Sequence, residues 1–151
     1  MTIELITAPI LLEIRQKSHL EVQNIDDVVK RDNVRAGLDK LDEIKRCMNE
    51  GFAQVSRRCY RWLEDERIEY ADDRSAESEV RVYEFALSER RALNKAEPLT
   101  AAMHTLVVEY ALAKFYSTVN MADLSNKHSL LAIDAGDTIE ALLYAKKAPR
   151  V

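Results

Sequence analysis

The feature that most constrains this chain is an apolar stripe in which Val34, Leu38, Leu41, Ile44, Met48, Phe52, Val55, Cys59 and Trp62 follow one another at spacings of three or four. Such spacing holds one face of an α-helix in line, and carried over the whole run it predicts a spine helix of about eight turns, a rod of about 43 Å. The other elements must then pack around it. Asp26 and Asp32 are both suited to cap its start, so Asp27 to Arg31 belongs either to the same helix or to a separate preceding turn. Gly51 interrupts the stripe's composition without breaking its phase. A glycine there costs about 1 kcal/mol relative to Ala unless a neighbour needs the space.

On either side of the spine the pattern remains helical. Pro9 suits a first helical turn, and Ile10, Leu11 and Ile14 give that segment an apolar face that becomes ambiguous over His19 to Gln23. Pro98 opens a second strong helix, with Leu99, Met103, Leu106, Tyr110 and Ala113 on one face and Ala102, Val107, Ala111, Phe115 and Tyr116 widening it. Apolar over so much of its circumference, this helix belongs at the buried centre of a bundle. After a turn at Thr118 to Ala122, Asp123 or Ser125 can cap a last helix with Leu124, His128, Leu131, Ala135, Leu142 and Leu143 facing inward. Lys146 and Lys147 complement its C-terminal dipole and Pro149 stops it.

Two stretches break the pattern. Glu64 to Glu79 is acidic and aperiodic and reads as a solvated loop, whereas Tyr83, Phe85 and Leu87 alternate as in a strand, so Val80 to Ser88 is expected to be a short extended segment. No internal repeat or low-complexity tract divides the chain. The expected fold class is therefore all-α, a small bundle of four to five helices with one long spine, spanning residues 1–151 as one domain.

Composition excludes several classes of function. With 22 basic and 26 acidic residues the net charge is -4, so the molecule as a whole lacks the basic excess that pulls proteins onto phosphate backbones. There is no cationic leader, and no apolar run approaches the roughly 20 residues that cross a bilayer, so the expectation is a soluble, cytoplasmic chain with no membrane partner. Three scattered glycines, Gly37, Gly51 and Gly136, cannot build a Gly-rich phosphate loop.

The chemically capable residues are equally dispersed. His19, His104 and His128 lie in different segments with no second His or Cys at ligand spacing, so no metal and no cofactor is expected. His104 and His128 are placed on the flanks of their helices with local hydrogen bonds. Cys47 and Cys59, about 18 Å apart along one helix, are too distant for a disulfide and are read as small core hydrophobes. A serine nucleophile would need a G-x-S-x-G elbow or an S-x-x-K pair, and neither occurs. Asp72, Asp73, Glu77 and Glu79 lack the central glycine of a calcium loop. No catalytic residue is assigned, and the expectation is a protein that is not an enzyme.

One basic feature points elsewhere. Gly51 followed by QVSRRCYRW resembles the turn and start of a DNA recognition helix, with Arg57, Arg58 and Arg61 as candidate DNA contacts. The alternative places these arginines on the polar flank of the spine or in a subunit contact. Arg90, Arg91 and Lys95 form a second basic cluster, without the aromatic interleaving of single-strand binders.

The C-terminal third, LTAAMHTLVVEYALAKFYSTVNMADLSNKHSLLAIDAGDTIEALLYAKK from Leu99 to Lys147, resembles the helical pair of phage and prophage head-tail connector (adaptor) proteins. The resemblance is carried by the Tyr-rich stretch from Tyr110 to Ser117, a short turn, and a second helix closing with Leu142 and Leu143 before Lys146 and Lys147. It implies a non-enzymatic structural subunit, a homo-oligomeric ring between portal and tail proteins, present in the virion if phage-derived. DNA would pass through the channel without sequence-specific binding. Asp72, Asp73, Glu77 and Glu79 would then face the lumen or a neighbouring subunit, because like charge repels phosphate. The competing readings are a small helical DNA-binding regulator using Arg57, Arg58 and Arg61, and an enzyme whose polar groups converge only in three dimensions.

Overall fold

A computed structural model describes residues 1–70 and 79–144. The chain order is β1 (Thr2–Ile6), α1 (Thr7–Val22), α2 (Val28–Val34), a 3-10 turn (Leu38–Lys40), α3 (Leu41–Cys59), β2 (Leu63–Tyr70), β3 (Glu79–Phe85), α4 (Glu89–Ala92), α5 (Ala96–Thr118) and α6 (Ala122–Tyr144). The described chain is mostly helical, but a three-stranded antiparallel sheet of order β1-β3-β2 makes the class α+β and corrects the all-α expectation.

Helix α5 is the central element. Leu99, Met103, Val107, Leu112 and Tyr116 are buried on different sides of it, so it has to be covered from several directions. α6 and α3 supply most of that cover, and α1 and β1 the rest. The joint between α5 and α6 is a Schellman turn. Asn120 takes a positive φ of 60°, the Met121 amide donates to the Tyr116 carbonyl at 2.9 Å, and the Asn120 amide donates to the Ser117 carbonyl at 3.4 Å. α6 starts at Ala122 without Asp123 or Ser125 as cap, because Ser125 instead donates its Oγ to the Ala113 carbonyl at 2.9 Å. Its inward residues are His128, Ala132, Ala135, Gly136, Ile139 and Leu143, and the expected inward Leu131 faces solvent.

The spine is shorter than the stripe suggests. α2 ends at Val34, the chain turns through residues 35–40, and α3 runs only from Leu41 to Cys59, about 28 Å. Asp27, rather than Asp26 or Asp32, caps α2, accepting from the Val29 and Lys30 amides at 3.0 and 3.2 Å. Lys40 closes the break by donating to the carbonyls of Asp32, Asn33 and Arg35 at 2.7 to 2.8 Å, which satisfies acceptors the end of α2 leaves open. Val34 and Leu38 keep the periodic spacing by coincidence of position across this turn. Leu38 is exposed, and Trp62, past the end of α3, packs edge-on against Tyr144 with ring centroids 4.4 Å apart.

The second half of the stripe holds. α3 passes through Gly51 without interruption and buries Ile44, Cys47, Met48, Phe52, Val55 and Cys59. At Gly51 the reason for the glycine is visible. A Cβ there would stand 3.1 Å from the Val107 carbonyl oxygen and 3.2 Å from its Cα, so the helix backbones of α3 and α5 approach through this position.

Val80 to Ser88 does contain the expected strand, β3, but much of the acidic stretch read as a loop is also a strand, β2. The inner sheet face carries Ile3, Leu5, Tyr83 and Phe85 into the core, while Glu4, Arg67 and Glu84 lie on the outer face. Arg67 ties that face together with ion pairs to Asp65, Glu69 and Glu84 at 2.8 to 3.0 Å. A register shift between Leu63 and Asp65 makes Glu64 the extra residue of a bulge, which throws the strand's alternation out of phase.

Substituting Gly51→Ala is expected to lower stability by about 1–2 kcal/mol despite the gain in helix propensity, because buried backbone must move to admit the methyl. Gly136→Ala is expected to cost less, since its Cβ meets only the Arg58 guanidinium, the mobile end of a side chain, at 2.8 Å. Urea midpoints of the two variants measure the difference. Equal effects would contradict the close α3–α5 approach.

Candidate functional site

The most concentrated polar chemistry in the described chain lies where α1, α5 and α6 meet. α5 contributes Glu109, 3% exposed in a helix otherwise lined with Val107, Val108 and Leu112. A carboxylate so placed needs partners from outside its own helix. Lys17 of α1 donates its Nζ to Glu109 Oε1 at 2.6 Å, and the imidazole of His128 on α6 meets the other oxygen through Nδ1. His128, 2% exposed, turns its Nε2 to Glu21 of α1 at 2.7 Å, and Lys127 donates to Glu21 at 3.0 Å. Tyr116 stacks on the imidazole with centroids 5.6 Å apart and donates its hydroxyl to Glu21 at 3.3 Å.

The result is a chain of alternating charge, Lys17, Glu109, His128, Glu21, Lys127. Burial acts most strongly on His128 and disfavours its cation, but the hydrogen bonds to Glu109 and Glu21 outweigh it and raise the pKa above the ordinary 6.5. Burial likewise works against the carboxylates. Hydrogen bonds from His128 and from Lys127 or Lys17 overcome it and hold Glu21 and Glu109 below their ordinary 4.5. Lys17 is raised against burial by Glu109 and then Glu13. Each charge is matched, so the network is an internal tie between three helices.

This arrangement corrects the placement of the histidines. His128 is a buried, long-range partner rather than a flank residue with local bonds, and His104, 30% exposed, reaches across to Glu13 of α1 at 2.5 Å. Sequence reasoning missed Glu109, Glu21 and Lys17 altogether. The available signal was an acid in the middle of the most apolar helix. Among the described residues no group of three or more His, Cys, Asp or Glu could hold a metal ion.

The other candidate residues are scattered. Arg58 bridges to Asp137 and Glu140 of α6, both at 3.3 Å, and Arg61 donates to the Tyr144 hydroxyl at 2.8 Å, which leaves Arg57 exposed beside them. With α3 continuous through Gly51, the turn that a helix-turn-helix needs is not formed there. Arg91 of the second basic cluster donates to the Leu143 carbonyl at 3.1 Å. Asp72, Asp73 and Glu77 lie outside the described residues, as do Lys146, Lys147 and Pro149. Glu79 is 18% exposed and paired with Arg81 at 2.7 Å, so it is spent within the hairpin. Cys47 and Cys59 are buried as expected. Burial, with nearby glutamates adding to it, pushes their thiols up to about 11 and about 12.

Two surface grooves flank the bundle. One, of about 330 Å³, lies between α5 and α6 beside Arg58, Tyr110, Lys114 and Ser129. The larger, of about 850 Å³, runs along α1 and the turn after α2, with Leu12, Arg15, His19, Leu20, Arg35 and Leu38 in its walls. Neither has Glu21, Glu109 or His128 in its wall, so the buried network does not open into them. No helix among the described residues is long and apolar enough to cross a membrane. Comparison with family models, curated proteins and solved structures finds no match to this chain.

The network has a defined pH window. The raised His128 contributes stability that is complete below pH 6.5 and lost as pH rises through its folded value, and the lowered Glu21 and Glu109 contribute stability that is complete above pH 4.5 and lost as pH falls through theirs. Denaturation of wild type and His128→Gln across this range should differ most between pH 4.5 and 6.5, by about 3–5 kcal/mol, because the variant leaves buried carboxylates without their cation. A difference independent of pH would refute a charged His128. The thiols are expected to react slowly with a disulfide reagent at neutral pH and rapidly once urea unfolds the chain. Fast native labelling would place the cysteines outside the core.

Proposed function

We propose that this chain is a non-enzymatic assembly subunit, a head-tail connector of phage or prophage type that forms a ring between portal and tail. The single observation that carries the reading is the distribution of apolar surface. Leu12, Leu20, Val28, Val29 and Leu38 are exposed on α1, α2 and the turn after them, and Leu130, Leu131 and Ile133 on α6. Clustered exposed apolar residues mark surfaces that are covered in an assembly. The inward use of the charged groups supports the same reading, since the buried network is matched internally and sits away from both grooves.

The resemblance of Leu99 to Lys147 to connector proteins falls, within the described residues, on the antiparallel pair α5 and α6. Glu64, Asp65, Glu66 and Glu69 give the exposed strand β2 an acidic character. An acidic element of this kind suits a channel that passes DNA without gripping it. Portal and tail proteins are the corresponding partners, and the ring would reside in the virion.

Purified protein is expected to give ring particles by electron microscopy and a matching high mass by light scattering, alone or with a portal ring added. A strict monomer at high concentration, with no association to portal, would remove the proposal. Reversing the charges of Asp72, Asp73 and Glu77, with Glu79 left in its pair with Arg81, tests the lumen assignment, with reduced infectivity expected and unchanged infectivity counting against it.

A further inference from the structure

The two apolar clusters carry opposite charge. Along the outward side of α6 a stripe formed by Leu130, Asp134 and Asp137 runs opposite the buried Ala132, Ala135 and Ile139, with Leu131 and Ile133 flanking it. Leu130, at the N-terminal end of this stripe, is 67% exposed. The groove on α1 pairs its exposed Leu12, Leu20 and Leu38 with the cations Arg15 and Arg35, the latter 3.7 Å from Asp32, and with the imidazole of His19, against one acid in its wall, Asp39. Lys40 adds a further cation at its edge.

Arg15 gives the groove an unmet demand. Its Nε is buried without a hydrogen-bond partner among the described residues, and a guanidinium donor left in that state is costly. A carboxylate arriving in the groove can draw the side chain round and take Nε and a terminal nitrogen together, the bidentate pairing to which arginine is suited. The occupant that fits is therefore a helix face presenting leucine and isoleucine with an aspartate between them.

We infer that the outward face of α6 of one copy docks in the α1 groove of a second copy, with Asp134 meeting Arg15 and Leu130 entering the apolar wall. The inference rests on the assembly reading and names the surfaces that build it. Each patch engages a different neighbour in this arrangement, so the contact is head-to-tail, and repetition with a closing rotation gives a ring. A reciprocal two-fold dimer, in which each copy's α6 face fills the other's groove, is the competing geometry and would stop at two copies.

The test uses the whole chain carrying Asp134→Arg, Arg15→Asp, both together, or Leu130→Glu, with circular dichroism to verify folding. Each single variant is expected to lose the high-mass species expected of wild type in analytical ultracentrifugation, and the double variant to recover it in part. An equimolar mixture of Leu130→Glu and Arg15→Asp leaves one intact surface on each partner and no compensating pair, so it should stop at a heterodimer. Leu130→Glu sits on solvent-exposed helix and should abolish assembly without unfolding. If wild type assembles and all these variants assemble equally well, the docking inference fails while the assembly reading survives. A wild type that stays monomeric removes both. Recovery of full rings from the mixture would require two altered surfaces to join and would overturn the α6-to-groove contact.

Discussion

A carboxylate inside an apolar helix has to be neutralised by groups that other elements bring to it, and the placement of α1 and α6 around α5 follows from this need at Glu109. Both oxygens of Glu109 are engaged, one by Lys17 and one by His128. The imidazole cation would in turn be costly if left with a single partner, and Glu21 meets its other nitrogen. The effect is chiefly one of register. Sliding α6 by one turn along α5 would set Glu109 against the small apolar residues near Ala132 and strand His128. A well-packed hydrophobic replacement could match the network in stability, but it would not penalise the slipped arrangement so heavily.

The same helix dictates the opposite side of the fold by contact of backbone rather than charge. Gly51 lets α3 close on Val107, and this brings Phe52, Val55 and Cys59 into a common core with the inner face of the sheet. Arg81 of β3 then lies over the Phe52 ring, 4.6 Å from its centroid, and donates to Asn49 at 2.8 Å. The sheet is thus fastened to α3 at Arg81, while the exposed residues of β2 remain solvated.

What could be read in the sequence tracks how local each determinant is. α5 was legible because its apolar residues surround the helix within one continuous run, and β3 because Tyr83 and Phe85 alternate. The break between α2 and α3 was not, since Val34 and Leu41 keep helical spacing across a turn that is set by Lys40 reaching back to three carbonyls. β2 was hidden for two reasons. Its bulge at Glu64 shifts the phase, and the inner-face positions Ile68 and Tyr70 are exposed where no helix covers them, so burial imposes no alternation. The ionic network joins residues 19, 92 and 107 positions apart, which no periodicity can reveal. One sign was present all the same, because an acid within the most apolar helix demands a buried cation somewhere else in the chain.

The distribution of polar and apolar groups also bears on the choice between a catalyst and a subunit. Catalysis needs ionisable groups whose charge is poorly compensated until substrate arrives, held where substrate can reach them. Among the described residues, Lys17, Glu109, His128, Glu21 and Lys127 compensate one another at the junction of three helices, and the two grooves beside α1 and between α5 and α6 are lined by leucines, arginines and serines. The Arg15 Nε stands without a partner in an apolar groove, as the buried hydroxyls of Thr7 and Tyr83 do elsewhere among the described residues, and a leucine-aspartate stripe is exposed on a helix far from that groove in sequence. Such unmet demands are satisfied by a complementary protein surface more readily than by a small molecule, because the apolar area and the charge have to be covered together. The buried charges are thus matched within one copy, while the outward face of α6 and the apolar wall of the α1 groove stay open to solvent.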